Sequence, residues 1–358
     1  MMDLKSRIDQ LKRTQLAPLL KWPLGLANLG LGVTLGVSEY LRGRNISEKN
    51  WRRILLAHCA SNGRTTAVLN LVTFCLRPPR KPAPVTGLLG NFSVQQQENI
   101  VSALNRDGYY VFPQLLPEIL CDDIQSFAET ADTIIESNRD LKSPLTPYNP
   151  THPISRTYKI PEKDAVHNFA IQKLLADQVF VSITERYLNT HPTIGGVDVW
   201  WSARYGNEPG SDAAQLFHFD FDAPPAWIKL FVYVTDVGPD NGPHIYVKGS
   251  HKPGLRQARN FRARGYERIS DEEIVAAFGP DAMIQITGKR GTVFMADTRG
   301  FHKGKMPTSD HRLLAQLIYC SPIFNDHGVP ATLPRKLDPA LATAVEASPH
   351  VYDRFRPS

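Results

Sequence analysis

The chain has 358 residues, 42% hydrophobic and 21% charged, the balance of an ordinary globular protein rather than a fibrous or disordered one. The net charge of +6 is uneven: residues 1–85 hold 14 Lys/Arg against 4 Asp/Glu and the remainder 27 against 31, so the larger part lacks the basic excess of a nucleic-acid-binding domain. Four scattered cysteines, Cys59, Cys75, Cys121 and Cys320, form no CxxC pair, which argues against a disulfide framework or a structural zinc site and fits a reducing, cytoplasmic setting.

Leu4, Ile8 and Leu11 follow helical spacing, with Lys5, Lys12 and Arg13 elsewhere on the wheel. The apolar stretch "LGLANLGLGVTLGV" (24–37) begins late, has no cleavage site after it and is shorter than the roughly 20 residues a bilayer span takes, so it reads as neither signal peptide nor membrane span. A basic helix-like stretch around Trp51, Arg52 and Arg53 follows, and then "RPPRKPAP" (77–84), where proline excludes helix and central strand and marks a linker. The organisation expected is a basic helical extension (1–85), a catalytic domain (86–335) and a C-terminal tail (336–358). Residues 1–76 have two uses open to them: packing on the catalytic domain or on a second subunit, which their apolar content favours, or lying on an anionic membrane surface.

Beyond residue 85, Ser93 and Gln96 make a capping box for a helix to about Asp107, stopped by Gly108. "YYVFP" (109–113) predicts a strand and 117–137 a helix, with Pro117 in its first turn. The polar, proline-punctuated region 138–195 reads as loops with one helix near 168–188. From 196 the chain becomes β-rich, with strands expected at 197–205, 214–221, 226–237, 243–250, 283–287, 291–297 and 312–320 and a capped helix at 270–279. Short strands after a block of helices predict a mainly β fold with flanking helices, a double-sheet jelly roll.

The stretch "QLFHFDFD" (215–222) carries the chemistry. On a strand, residues i and i+2 share a face, so His218 and Asp220 project together while Phe217, Phe219 and Phe221 project oppositely. An imidazole and a carboxylate side by side in a barrel are costly to bury unless something pairs them, and a divalent metal does. Two histidines and one carboxylate on one face form the triad of non-heme Fe(II) oxygenases. The second histidine has four downstream candidates: His244, His251, His302 and His311. His302 follows a predicted strand and precedes Arg312, a residue suited to hold a carboxylate such as that of 2-oxoglutarate.

His218-x-Asp220, "VYVTDVGPDNGPHIYVKGSHKPG" (232–254), His302 and Arg312, in that order, resemble the phytanoyl-CoA dioxygenase family, as does "NRDGYYVFPQLLPEILCDDIQ" (105–125). The resemblance implies a double-stranded β-helix. It implies Fe(II) held by His218, Asp220 and His302, and 2-oxoglutarate chelating the metal while its far carboxylate pairs with Arg312. It further implies O2 as co-substrate, ascorbate as an accessory reductant, and hydroxylation of an unactivated C–H bond of a small metabolite, or of a lipid- or saccharide-linked substrate, as succinate and CO2 form. Two features qualify it. Some members carry a hydroxyl residue two after the distal histidine, where this chain has Gly304. Related halogenases replace the carboxylate ligand by a small residue, whereas Asp220 is present, which favours hydroxylation. The rival readings are a zinc- or manganese-dependent hydrolase or isomerase on the same barrel, and a non-catalytic sensor of metal or 2-oxoglutarate.

Around that core, Asp222 reads as a strand-end carboxylate, His251 as a structural histidine and His311 as outward-facing. Trp200, Trp201 and Tyr205 read as core, one of them a candidate pocket wall. Arg156 and Lys159 read as solvated loop residues, and the loops 138–195 and 255–282 as a lid. The arginine-rich run 256–268 reads first as a solvated basic face and second as a contact for an anionic substrate.

Overall fold

A computed structural model describes residues 21–43, 46–135, 145–210, 214–220, 227–265, 267–323 and 331–357. The strands in chain order are β1 (Val85–Gly87), β2 (Gly90–Phe92), β3 (Tyr109–Leu115), β4 (Ile134–Ile135), β5 (Thr157–Ile160), β6 (Thr193–Ser202), β7 (Trp227–Tyr233), β8 (His244–Val247), β9 (Met283–Ile286), β10 (Thr292–Ala296), β11 (His302–Gly304), β12 (Arg312–Cys320), β13 (Ala331–Leu333) and β14 (Phe355–Pro357).

Seven strands form an antiparallel sheet in the order β3-β10-β7-β12-β6-β5-β4, and three form a second in the order β11-β8-β9. Alternation divides the large sheet into two chemical faces. Val197, Val199 and Trp201 of β6 and Leu313, Ala315 and Leu317 of β12 enter the main core with the helices Phe169–Ala176 and Gln178–Leu188. The opposite face carries Asp198, Trp200 and Ser202, registered against Gln316, Leu314 and Arg312. Lys229, Phe231 and Tyr233 of β7 share that face through their register with β12. It packs on the smaller sheet through Phe231, Tyr233, Phe294 and Leu314 against Tyr246 and Ile286. The result is a jelly roll, a double-stranded β-helix with helices outside and a polar-lined interior.

Local chemistry sets several element ends. The capping boxes Ser93/Gln96 and Ser270/Glu273 both form, and Gly108 ends its helix at φ 86°, a left-handed conformation that favours glycine. The expected helix at 168–188 is two, because the Asp177 carboxylate accepts from the amides of Val179 (2.8 Å) and Phe180 (3.2 Å) and starts a new helix. The helix at 117–137 stops at Thr130, since Ile134 and Ile135 are drawn into pairing with β5. The expected strand 214–221 reduces, within its described part, to two bridges, Phe217 to Ile269 and His218 to His302. The region 255–282 is not loop alone; it contains helices Arg259–Arg264 and Asp271–Phe278.

The extension comprises the helices Lys21–Gly43, Glu48–Ala60 and Thr66–Leu76. The glycines of the apolar stretch serve close packing: a Cβ on Gly32 would lie 2.8 Å from Ile54 Cγ1 and 3.3 Å from Asn50 O. Leu29, Tyr40, Ile54, Ala57 and Leu69 form a small core that also takes Ile323. Asn62 ties this unit to the rest: its carbonyl accepts from Gly254 N (2.9 Å), its Nδ2 donates to Leu255 O (3.2 Å) and its Oδ1 accepts from Arg262 Nη1 (3.2 Å). After residue 336 come a helix (Pro339–Ala347) and β14, parallel to β13. The amphipathic pattern at Leu4, Ile8 and Leu11 and residue Asp222 lie outside the described residues. Among the described residues no helix is long and apolar enough to cross a membrane.

Candidate metal centre and co-substrate cavity

His218 and His302 face each other across a two-bond bridge, His218 N to His302 O at 3.0 Å and His302 N to His218 O at 2.9 Å. This bridge joins the segment 214–220 to β11 and sets the imidazoles side by side, ring centroids 4.3 Å apart. Asp220 N donates to Thr298 O (2.8 Å), which turns the Asp220 side chain to the same side. Phe217 and Phe219 point away into an apolar cluster with Phe261 and Phe301, as strand parity predicts.

Both histidines have their tautomers assigned by backbone. His218 Nδ1 lies 3.0 Å from Leu216 O and His302 Nδ1 lies 2.9 Å from Gly300 O. A carbonyl only accepts, so Nδ1 carries the proton in each ring and Nε2 presents its lone pair. His218 Nε2 lies 4.0 Å from Asp220 Oδ1, and His302 Nε2 lies 3.7 Å from Asp220 Oδ2. One ligand atom from each of the three residues falls within 4.8 Å of the others, and all three side chains are buried.

The electrostatics suit a cation. Burial, helped by His302 and Arg268 and opposed by Asp220, pushes His218 well below its ordinary value, and burial lowers His302 against the pull of Asp220. Both rings are therefore neutral donors at neutral pH. Burial alone would raise Asp220, but the Lys229 ammonium, paired and hydrogen-bonded with it, leads the interactions that outweigh burial and hold the carboxyl far below the usual carboxylate range. Two neutral imidazoles and one carboxylate, pre-oriented by backbone, fit Fe(II).

Arg312 opens β12 on the interior face and is 4% exposed. Its Nη1 donates to Gly242 O and its Nη2 to Ser202 Oγ (3.0 Å), while its Nε is buried without an acceptor. No carboxylate pairs with it among the described residues. A buried guanidinium in that condition calls for an anion, because leaving it uncompensated costs several kcal/mol, about 3–5 by analogy with broken buried pairs. His244 Nε2 is a second buried polar atom without a partner. Its ring stacks on His302 at 5.4 Å and meets Phe231 at 5.0 Å, and Arg312 is among the charges acting on it. The interior thus offers a triad that could hold a metal ion, an arginine with no carboxylate beside it among the described residues, and an unsatisfied imidazole nitrogen. A 2-oxo dicarboxylic acid has complementary groups for all three.

A model of the phytanoyl-CoA dioxygenase (PhyH) family matches residues 104–313. The chain belongs to that family. It is a non-heme Fe(II)/2-oxoglutarate-dependent dioxygenase, which displaces the hydrolase, isomerase and sensor readings. The curated ectoine dioxygenase of Stutzerimonas stutzeri (strain A1501) is 27% identical over 228 residues, 57% of this chain and 69% of that protein. Among solved structures, EctD from S. alaskensis with bound Fe is 20% identical at TM-score 0.45, covering 68% of this chain and 83% of that one. HygX from Streptomyces hygroscopicus with nickel and 2-oxoglutarate bound is 19% identical at TM-score 0.43, covering 62% and 86%.

Several residues of this phytanoyl-CoA dioxygenase family member carry more, or less, than their sequence context indicates. Lys229, 2.6 Å from Asp220 Oδ2, goes unnoticed in the sequence although a lysine inside the apolar run "AWIKLFVYV" is itself a signal. Ser202 supplies to Arg312 the hydroxyl that Gly304 lacks; a Cβ at Gly304 would sit 3.6 Å from Arg312 Nη2. His244 stands beside the triad rather than in it. His251 is buried outside the cluster, and His311 packs edge-on against Tyr148 and Trp201 on the outer face. Trp200 lies on the interior face, whereas Trp201 is core and donates to Ala128 O (3.1 Å). Lys159 is exposed, as expected, but lies on β5 and not in a loop, and it pairs with Asp198 of the interior face. Arg156 donates to Glu208 O (3.2 Å) and sits over the Tyr205 ring.

Proposed function

We propose that this protein hydroxylates an unactivated C–H bond of a small polar metabolite, binding Fe(II) through His218, Asp220 and His302 and 2-oxoglutarate through Arg312. The observation that carries the reading is the pairing, in one interior, of a pre-oriented two-histidine, one-carboxylate cluster with a buried arginine that has no carboxylate. When bound, Fe(II) with 2-oxoglutarate and O2 supplies the oxidising chemistry, one 2-oxoglutarate going to succinate and CO2 as one substrate C–H is oxidised.

The chain's own groups do the rest. Leu216 O and Gly300 O hold the imidazole protons away from the metal position. Lys229 fixes one oxygen of Asp220 and balances its charge. Arg312, backed by Ser202, orients the far carboxylate of the co-substrate. Phe231, Tyr233, Phe294 and Leu314 pack as buried apolar and aromatic groups around that end of the interior and keep water from it. Lys159, Asp198, Gln316 and Trp200 line the same interior face with polar and aromatic groups, which supports a polar substrate, and the ectoine dioxygenase likeness accords with one.

The test is anaerobic addition of Fe(II) and then 2-oxoglutarate to metal-free protein, followed by the visible charge-transfer band of the chelate. The band appears in wild type and is lost in His218→Ala. A well-folded, iron-loaded protein that gives no band overturns the assignment.

A further inference from the structure

The helix Thr66–Leu76 is apolar on its outward side as well as toward the small core it helps form. Thr66 and Thr73 are buried, and Thr73 satisfies its hydroxyl on Leu69 O at 2.8 Å. Its outward side chains are Ala67, Val68, Leu71, Phe74 and Cys75, with Leu71 63% and Val68 47% exposed. The helix Lys21–Gly43 repeats the pattern. Leu29, Gly32, Gly36 and Tyr40 face inward, while Leu26, Leu31, Leu35 and Leu41 are exposed at 54%, 51%, 42% and 66%. Eight of the fourteen large apolar side chains exposed among the described residues fall between Leu26 and Phe74, so they are concentrated and not scattered. Single exposed leucines need no explanation, but a helix pair apolar on both faces does.

The charge beside these helices identifies what they meet. Arg64 is exposed and precedes Val68 and Leu71 at helical spacing, so it caps the end of the apolar stripe. With Arg256 and Arg259 of the catalytic domain it lines a cavity of about 320 Å³ that also takes in Ser61 and Asn62. No acidic side chain lines this cavity, and none of the three arginines is ion-paired among the described residues. Three arginines with no carboxylate beside them, lining one opening, supply the donors that bind a phosphate. A second copy of the chain leaves the arginines unexplained, and a nucleic acid leaves the leucines unexplained. An anionic phospholipid surface uses both.

We propose that the helices Lys21–Gly43 and Thr66–Leu76 seat the protein on an anionic bilayer, with the exposed leucines at the headgroup–acyl boundary and the Arg64/Arg256/Arg259 cavity on a headgroup phosphate. The contact is interfacial, since neither helix qualifies as a span. Arg256 and Arg259 come from the catalytic domain, so binding engages both parts of the chain across the Asn62 junction. The proposal is independent of the oxygenase reading.

The experiment is co-sedimentation of the full-length protein with phosphatidylcholine vesicles and with vesicles also containing phosphatidylglycerol. Sedimentation is expected only with phosphatidylglycerol, weakening with salt, and inorganic phosphate lowers it no further than chloride does at the same ionic strength. Leu71→Glu and, separately, Leu41→Glu abolish it while leaving the fold intact by circular dichroism, because both positions are exposed. Alanine at Arg64, Arg256 and Arg259 together lowers partitioning about 100-fold, some fivefold for each cation at an anionic surface. Three results overturn the proposal: equal sedimentation with neutral vesicles, displacement by inorganic phosphate at an ionic strength where chloride leaves the protein bound, or no sedimentation with any vesicle. A dimer in light scattering that Leu71→Glu converts to monomer also overturns it, in favour of a second copy of the chain.

Discussion

Lys229 Nζ lies 2.6 Å from Asp220 Oδ2, and both side chains are close to fully buried. The ammonium is therefore the counter-ion of Asp220 in the metal-free protein, a role that Fe(II) held as proposed would share. Lys229→Met leaves a buried carboxylate with no cation beside it, a loss of about 3 kcal/mol in the metal-free state. A divalent metal repairs that loss. The expected outcome is a lower melting temperature for metal-free Lys229→Met and a larger rise on adding Co(II) than wild type shows. Equal rises in the two proteins would remove Lys229 from any account of the site.

Ser202 and Gly304 exchange a role around Arg312. The hydroxyl that accepts from Nη2 comes from β6, at 3.0 Å, because register places Ser202 directly opposite Arg312. Ser202→Ala should weaken 2-oxoglutarate binding by roughly 5–10-fold, the value of about one hydrogen bond, with metal affinity unchanged. Arg312→Ala should weaken it far more, on the order of 100-fold, since a charged partner is lost. Gly304 has no steric bar to a side chain, as its Cβ would rest in ordinary contact with the guanidinium. The double variant Ser202→Ala/Gly304→Ser is therefore expected to recover most of the binding in a calorimetric titration. Failure of the added serine to restore any affinity would show that position 304 does not face the bound carboxylate's anchor.

How far the sequence reveals this site depends on how local each signal is. His218 and Asp220 share a face by strand parity alone, and that parity holds although an extended strand does not form, because one rung on each side fixes the pair. His302 and Arg312 become distinctive through their order and spacing. Ser202 and Lys229 take their roles from register across β6, β7 and β12, which no linear spacing encodes. The helix break at Asp177 was visible only as an aspartate in a periodic run, where capping competes with continuation. The end of the helix at Thr130 reflects strand pairing with a segment 25 residues away (Ile134 with Lys159), a tertiary effect that overrides local pattern.

His244 holds a buried Nε2 with no partner, and its ring stacks on that of His302. A buried donor or acceptor left unmade costs about 1–3 kcal/mol. His244→Phe keeps a flat ring against Phe231 and His302 and removes the polar atom. The variant is expected to be more stable than wild type in the absence of 2-oxoglutarate and to bind 2-oxoglutarate roughly tenfold more weakly. Thermal melts and titrations on one preparation read both changes. A variant that gains stability while keeping full affinity would show that His244 does not contact the co-substrate.

His58 links the helical extension to pH. It lies in the helix Glu48–Ala60, buried, with Nδ1 3.3 Å from Thr66 Oγ1. Burial first, then Arg299 and Arg262, push it down from 6.5 to about 3, with Asp297 opposing. The unfolded chain takes up this proton below 6.5 and the folded chain does not until about 3. The stability from a neutral His58 is therefore complete above the unfolded value and is lost as pH falls through that window, at about 1.4 kcal/mol per unit. Near pH 5 the loss is about 2 kcal/mol. The other buried histidines titrate as well, so the informative quantity is the difference between wild type and His58→Gln, which cannot take up a proton. Melting curves at pH 7.5 and 5 should show a smaller decline for the variant by about that 2 kcal/mol. Hydrogen exchange should place the wild-type loss in the helices Glu48–Ala60 and Thr66–Leu76. Identical declines in the two proteins would mean that His58 accepts its proton without disturbing the junction.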